Sequence, residues 1–401
     1  MITEAKQSSA TGWGILALCT LTTIFAYAIP TLALPVLFEE ISAELNLDIF
    51  QLGVAWGAIS LSAMLVGLFG GALGDRFGSK RTLGTVCILI GILGALRGFS
   101  SSYVMLVGTF MLYGLVAPSL PPNLHKTGAH FFPQRRGIAT GTISLGFAFA
   151  LFLGSRYTAT WLSPLVGGWR NVLFLFGISG VLIGLIWLGL VPGKILPQPS
   201  TSERPFWGAI SNSLRHVIKV RELWIVGLAA MLFWGCYRGF IGYTPVYLRG
   251  LGWDAASADK ALSNFYLASL ILAMPLIFLA EWSGRRRPFL MVAVLTMGSG
   301  ILLLGTGNDA RIGIGLIIGG VMFDAFMALH QAEVLDLKGI GIYAGSALGV
   351  LVMLREAGGF LSPPIGNWLA QYGANVPFYF WGGLGIMAAL IFLFLPSQSK
   401  T

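Results

Sequence analysis

The sequence predicts an all-α integral membrane protein with twelve transmembrane helices in two pseudo-symmetric six-helix bundles. Three observations predict it. The 401-residue chain is 56% apolar and only 10% charged, with a mean hydropathy of +0.79. A water-facing surface needs far more polar area, so most of the surroundings must be lipid. Apolar runs of about 20 residues, enough to cross a bilayer, recur twelve times. Finally, a charged turn between two such runs (Gly71, Asp75, Arg76, Gly78, Lys80, Arg81) returns in the second half as Glu281, Gly284, Arg285, Arg286 and Arg287.

In the first half the runs lie at 13–37, 50–72, 82–101, 104–126, 137–161 and 171–192. In the second they lie at 222–247, 260–281, 288–307, 311–331, 341–368 and 376–396. The expected organisation is therefore an N-terminal bundle over 1–192, a linker over 193–221 and a C-terminal bundle over 222–401. Residues 207–219 of the linker have the pattern of an amphipathic helix lying on the membrane surface. Further echoes support duplication: Pro35 near the end of run one matches Pro245 near the end of run seven, and Gly137 with Gly141 matches Gly341 with Gly345.

Lys and Arg fall on alternate turns, among them Arg135, Arg136, Lys194, Arg204 and Arg215, whereas the first opposite loop holds Glu39, Glu40, Glu44 and Asp48 with no base. By the positive-inside rule both termini are expected in the cytoplasm, with a multi-pass chain in the plasma or inner membrane. The net charge of +9 is spread over these turns, so nucleic acid is not an expected partner. Cys19, Cys87 and Cys236 sit inside apolar runs without metal-ligand spacing, which disfavours disulfides and a zinc site. The first run is too long for a cleavable signal peptide. No hydrolase elbow, HExxH, P-loop or dinucleotide fingerprint is present, so no enzyme activity and no cofactor are expected, and energy must come from a gradient.

The charged turn resembles the loop between helices two and three of the major facilitator superfamily, and the likeness extends along nearly the whole chain. The resemblance implies parallel six-helix repeats with substrate bound between them near the membrane midplane. It also implies a gating role for Gly71, Asp75, Arg76, Gly78 and Arg81, and for Glu281, Gly284 and Arg285 in the weaker copy. The alternative is that these charges only anchor topology. Ser79 departs from the commoner basic residue. Two patterns of proton-driven drug exporters are absent: Phe110 stands where an Arg would precede Gly114, and Gly154, Ser155, Arg156 and Tyr157 replace a Gly-Pro motif. The stretch Gly167, Gly168, Trp169, Arg170 is similar to prokaryotic cyanate, nitrate and monocarboxylate carriers.

Ionisable residues inside a span cost about 2.5–3.5 kcal/mol on insertion scales and so are functional candidates. Arg238 lies about sixteen residues into its run, hence about 24 Å deep at 1.5 Å per residue. A guanidinium there can grip a carboxylate with two parallel hydrogen bonds, with Tyr237 and Tyr243 completing the shell. Gly235, Gly239 and Gly242 are expected to let this helix bend. Structurally, Arg238 could instead bond backbone carbonyls. Tyr27 is the repeat counterpart of Tyr237 and a candidate cavity residue. Arg355 and Glu356, at similar depth, point about 100° apart and need not pair. Arg355 is either a second anion contact or the partner of an acid such as Asp324; Asp324 and Glu356 are candidates for proton coupling. Arg97 and Arg156 are expected to snorkel outward, and His330 to lie at the interface.

The expected function is gradient-driven transport of a small organic or inorganic anion by alternating access. Rival readings are proton-coupled efflux of hydrophobic or cationic compounds, and a non-transporting sensor or assembly protein. The expected partners are the small-molecule substrate, the lipid bilayer and a coupling ion, proton or sodium, with the chain monomeric.

Overall fold

A computed structural model describes residues 9–67, 76–133, 135–196 and 213–395. Gly71, Asp75 and the first part of the predicted surface helix lie outside them. Eleven helices are long and apolar enough to cross a membrane. They are α1 Thr11–Leu32, α2 Ile49–Val66, α3 Ser79–Phe99, α4 Tyr103–Phe131, α5 Gly137–Val166 and α6 Trp169–Gly189, then α7 Arg221–Gly250, α8 Ala255–Ser283, α9 Arg286–Leu304, α10 Asp309–Leu335 and α11 Ala344–Tyr372. A shorter apolar helix, α12 Val376–Phe392, makes twelve. No strand occurs among the described residues.

Polar residues at the turns set where helices begin. The Asp48 carboxylate accepts from the Gln51 N–H (2.7 Å) while the Gln51 side chain accepts from the Asp48 N–H (3.0 Å), a reciprocal cap that starts α2. Ser102, Asp254 and Asn308 cap α4, α8 and α10 in the one-sided form. Gly78, at φ +77°, leads into α3, and Gly284, at φ +60°, closes α8 in the left-handed conformation that glycine adopts without strain.

Helix α1 is irregular. Thr23–Ala28 widens to a π-helix, and the chain turns at Ala33 before continuing as Leu34–Leu45. Pro30 and Pro35 cannot donate backbone hydrogen bonds, so carbonyls are left over in this stretch. Arg97 takes one of them: its Nη2 donates to the Pro30 carbonyl (3.0 Å) and its Nε to that of Gly94 (3.2 Å). Arg97 does not snorkel as expected. It is fully buried, stacked over the Tyr113 ring, and braces the broken helix.

Helix α3 packs on α6, and α9 on α12, at backbone distance. A Cβ at Gly177 would fall 2.6 Å from the Gly91 carbonyl oxygen, and one at Gly298 would fall 2.8 Å from that of Gly382. Such close approach is how helices bind each other in lipid, where burial of apolar surface gives no driving force. The duplication visible in the sequence is therefore also a duplication of packing. The two sets of six meet along α2 against α11 and α5 against α8.

One end of the molecule is acidic. Glu40 accepts from the Ser163 hydroxyl (2.6 Å) and the Trp169 N–H (3.0 Å). Glu44 accepts from Trp169 Nε1 (2.6 Å) and Arg170 Nε (2.8 Å), and the Arg170 hydrogen bond holds its carboxyl below the usual range. The two halves are tied together there as well. Arg249, at the end of α7, bonds Glu39 from the first half and Asp259 (3.1 Å), and Asp259 accepts from Thr160 of α5 (2.8 Å). Asn367 of α11 donates to the Ile49 carbonyl of α2 (2.7 Å).

Candidate functional site

Arg238 lies midway along α7, 2% exposed, and contacts the other half of the molecule. Its guanidinium carbon sits 3.3 Å above the Trp56 ring of α2, and its Nη2 donates to the Trp56 carbonyl (3.0 Å). In return, Trp56 Nε1 donates to the Arg238 carbonyl (2.9 Å). A desolvated cation over an indole contributes about 2 kcal/mol. Arg238 Nε has no partner, and no carboxylate neutralises the guanidinium through an ion pair among the described residues. Both expectations for Arg238 are thus partly met: it bonds a backbone carbonyl, yet it keeps its charge and unspent donors.

Its neighbours correct the expected shell. The Tyr237 hydroxyl pairs with that of Tyr266 on α8 (2.9 Å), and its ring stacks on Phe323 at 4.4 Å. Tyr243 turns away, donating to the Ala374 carbonyl at the acidic end (2.8 Å), which makes it a brace for α7. Gly235, Gly239 and Gly242 do not bend the helix, which runs unbroken as Arg221–Gly250. They make room for other side chains, Gly239 against Trp381 and Gly242 against Trp56.

Arg355 and Glu356 do pair, against expectation. Nε and Nη2 of Arg355 both reach Glu356 Oε1 (3.2 and 2.8 Å), and Trp234 Nε1 donates to Oε2 (3.2 Å). The Arg355 guanidinium also lies over the Trp234 ring at 4.6 Å. Long side chains can close an angle of about 100° between adjacent helical positions when an aromatic ring holds one of them. Asp324 is not the partner of Arg355. Its Oδ2 accepts from the Ser269 hydroxyl (2.7 Å), whose oxygen accepts from the Asp324 N–H (2.9 Å).

Tyr27, on the π-helical stretch of α1, is half-buried and close enough to Arg355, Glu356 and Arg238 to feel their charges. The structure therefore gathers Tyr27, Arg238, Arg355 and Glu356 between the halves, with Tyr237 behind them and Asp324 beyond Tyr237. It leaves Tyr243 out. His330, expected at the interface, is fully buried, its Nδ1 against the Phe326 carbonyl (2.7 Å). Trp56, Trp234, Tyr266 and Ser269 were not legible as site residues, because an aromatic or serine in an apolar run carries no mark of which way it faces.

At the opposite, basic end Arg76 and Arg81 are exposed. In the second copy of the turn, Arg286 rather than Arg285 holds the acid: Nε and Nη2 grip Glu281 (2.7 and 3.0 Å) and Nη1 bonds Asp336. Arg285 contributes its backbone N–H to Ser283.

Twelve apolar helices in two like sets of six, meeting on buried arginines at mid-depth, define a polytopic membrane protein of the carrier type. The chain belongs to the Major Facilitator Superfamily, whose sequence profile matches residues 16–332. It is similar to the probable nitrate/nitrite antiporter NarK1 of Thermus thermophilus, 25% identical over 90% of this chain and 86% of that one. It is also similar to the probable galactarate/D-glucarate transporter GudP of Escherichia coli K12, 30% identical over 72% and 70%. Among solved structures, the nucleoside transporter NupG superposes with a TM-score of 0.78 at 11% identity, covering 95% of this chain and 99% of that one, which shows the shared fold.

Proposed function

We propose that this chain is a secondary transporter that moves a small organic or inorganic anion down or against a gradient by alternating access. The single observation that carries the reading is Arg238. A positive charge sits at mid-depth between the halves, free of any carboxylate partner, with donors left for a ligand. A fixed cation in low dielectric is costly unless an anion or its equivalent compensates it. Named activities of NarK1 and GudP, both toward anions, agree with that sign of charge. In this reading 1–192 and 222–401 rock against each other about the site, with 193–221 as the linker. Arg76 and Arg81, with Gly71, Gly78 and Asp75, gate the basic end together with the turn at Glu281, Gly284 and Arg285. The basic end faces the cytoplasm, so both termini do, and the working unit is one chain in the inner or plasma membrane.

The test is uptake of isotopically labelled nitrate and D-glucarate into liposomes holding the purified protein. Arg238→Ala should cut initial uptake at least about tenfold, a loss of about 1.4 kcal/mol. Arg238→Lys should recover little, because an ammonium lacks the planar fork. Uptake untouched by Arg238→Ala would sink the anion reading. One observation favours a second reading, efflux of cationic compounds: Asp324 is a mid-span acid without an ion-pair partner among the described residues. Export of a cationic dye that depends on Asp324 and ignores Arg238 would replace the first reading with the second.

A further inference from the structure

Two carboxyls at mid-depth are differently placed. Glu356 is fully engaged, with Arg355 on one oxygen and Trp234 on the other, so it stays an ion paired to a cation. Asp324 has a hydroxyl and no cation. Its side chain is nevertheless half-exposed although it lies on the inner stretch Phe323–Leu335 of a packed helix, so some of its surface opens to space inside the protein. It is linked to Arg238 by short polar steps. Tyr266 and Ser269 stand one turn apart on the same face of α8; Ser269 holds Asp324, and Tyr266 holds the hydroxyl of Tyr237, next to Arg238.

The groups around Asp324 fix what its charge can do. From α7 it faces Tyr237, with Arg238 beyond, and from α8 it faces Tyr266 and Ser269. From α11 the charged groups are Arg355 and Glu356, which cancel. On α10 itself, His330 lies nearly two turns on, bonded to a carbonyl, and Glu333 lies near the end of the helix. From α9 the charges are Arg286 and Arg287 at the basic end, Arg286 held by Glu281 and Asp336 and Arg287 donating to the Leu393 carbonyl. With Asp324 ionised, its charge offsets that of Arg238 and this part of the site is neutral. With Asp324 protonated, the site carries one net positive charge.

We propose that Asp324 is the proton-binding group of this carrier, and that its proton is what makes the site attractive to an anion. The inference rests on the anion-transport reading and adds its coupling ion. A proton enters with the anion when the site opens to one side: the Asp324 carboxylate takes it, and the O–H then donates where the ion could only accept. When the site opens to the other side the anion leaves, Arg238 again faces an ionised Asp324, and the proton is released. Binding linkage is reciprocal, so the proton raises anion affinity by the factor by which the anion raises proton affinity. Glu356 keeps its charge throughout.

The experiment measures the affinity of the purified full-length protein for nitrate and for D-glucarate between about pH 5.5 and about pH 8, then uptake into liposomes. In wild type, affinity should fall as pH rises, approaching about tenfold per unit for one linked proton. Asp324→Asn imitates the protonated carboxyl. It should bind at least as tightly as wild type, change less than about twofold over the same range, and exchange labelled for unlabelled anion across the membrane. It should no longer accumulate anion in response to an imposed pH gradient. His330→Gln should keep the wild-type pH dependence. Anion binding that needs Arg238 but keeps the same pH dependence in Asp324→Asn would overturn this inference and leave the anion reading standing. Loss of pH dependence in His330→Gln would overturn it in favour of the histidine. Absence of any anion binding in wild type would fail the anion reading itself.

Discussion

At the scale of single residues, a charge in this molecule is recognisable by what it is bonded to. Arg97, Arg238 and Arg355 all lie deep within spans, yet only Arg355 has a carboxylate of its own. Arg97 spends its donors on carbonyls freed by a broken helix, a structural task, although its Nη1 remains unpaired. The depth of Arg238 was legible from counting residues at 1.5 Å each, whereas its position over Trp56 was not, because no spacing rule says which residue of α2 will face α7. Adjacent positions gave the wrong expectation for Arg355 and Glu356, since an angle between Cβ directions does not limit two long side chains held by Trp234. Outside the spans, Glu44 allows a prediction with a definite sign. Its carboxyl titrates below its ordinary value because Arg170 and Trp169 bond the ionised form. A group depressed in the folded state adds stability above its unfolded pKa and loses it as pH falls through the folded one. Thermal unfolding of wild type should therefore lose a small increment below about pH 4. Glu44→Gln should start lower at neutral pH and lose less on acidification; an identical acid profile would show that the bond does not persist in solution.

Elements here are joined by absences of side chains as much as by side chains. The twelve apolar runs and the capping residues Asp48, Ser102, Asp254 and Asn308 were visible in sequence, because length, hydropathy and cap chemistry are local. The abundance of glycine was visible too, but which glycines touch was not, and those of α7 were given the wrong task. The pair of α3 and α6 shows the constraint. Gly91 and Gly177 bring backbone to backbone, and the nearest atoms to any added Cβ are a carbonyl oxygen and a main-chain nitrogen, which cannot swing aside. Gly91→Val should therefore force the helices apart and destabilise the protein by about 1–3 kcal/mol, the usual cost of overpacking. Gly108→Val, at a position with no heavy atom within 4 Å of an added Cβ, is the matched control. Melting temperatures in detergent should fall for the first variant and hold for the second. Equal melting for both would mean that α3 and α6 do not pack this closely.

For the whole molecule the question is which end is shut. The hydrogen bonds that join the halves at mid-depth, between Trp56 and Arg238, are continued toward the acidic end by Asn367 with Ile49 and by the cluster of Glu39, Arg249, Asp259 and Thr160. Asp259 is fully buried and the Arg249 side chain is 8% exposed, so water screens their attraction little. Removing one partner of such a pair costs about 3–5 kcal/mol, because the other charge stays buried alone. That cost falls only on the arrangement in which the pair is formed. Asp259→Asn should therefore weaken the closed acidic end relative to an arrangement open there, where Arg249 meets water, and shift the population toward opening. Ser60 reports the change: it is 1% exposed on α2, beneath Gly359 of α11, at a contact that must part if the acidic ends separate. The native Cys19, Cys87 and Cys236 are all buried, so Ser60→Cys can be followed against a low background with a membrane-impermeant maleimide. Labelling of Ser60→Cys should be slow, and at least about tenfold faster when Asp259→Asn is added, a shift of about 1.4 kcal/mol and well within the cost of the broken pair. A conservative Glu39→Gln should act in the same direction but more weakly, because Glu39 is half-exposed and its bond to Arg249 is partly screened. Unchanged labelling in Asp259→Asn would mean that the packing of α2 on α11, rather than the charge cluster, holds this end closed.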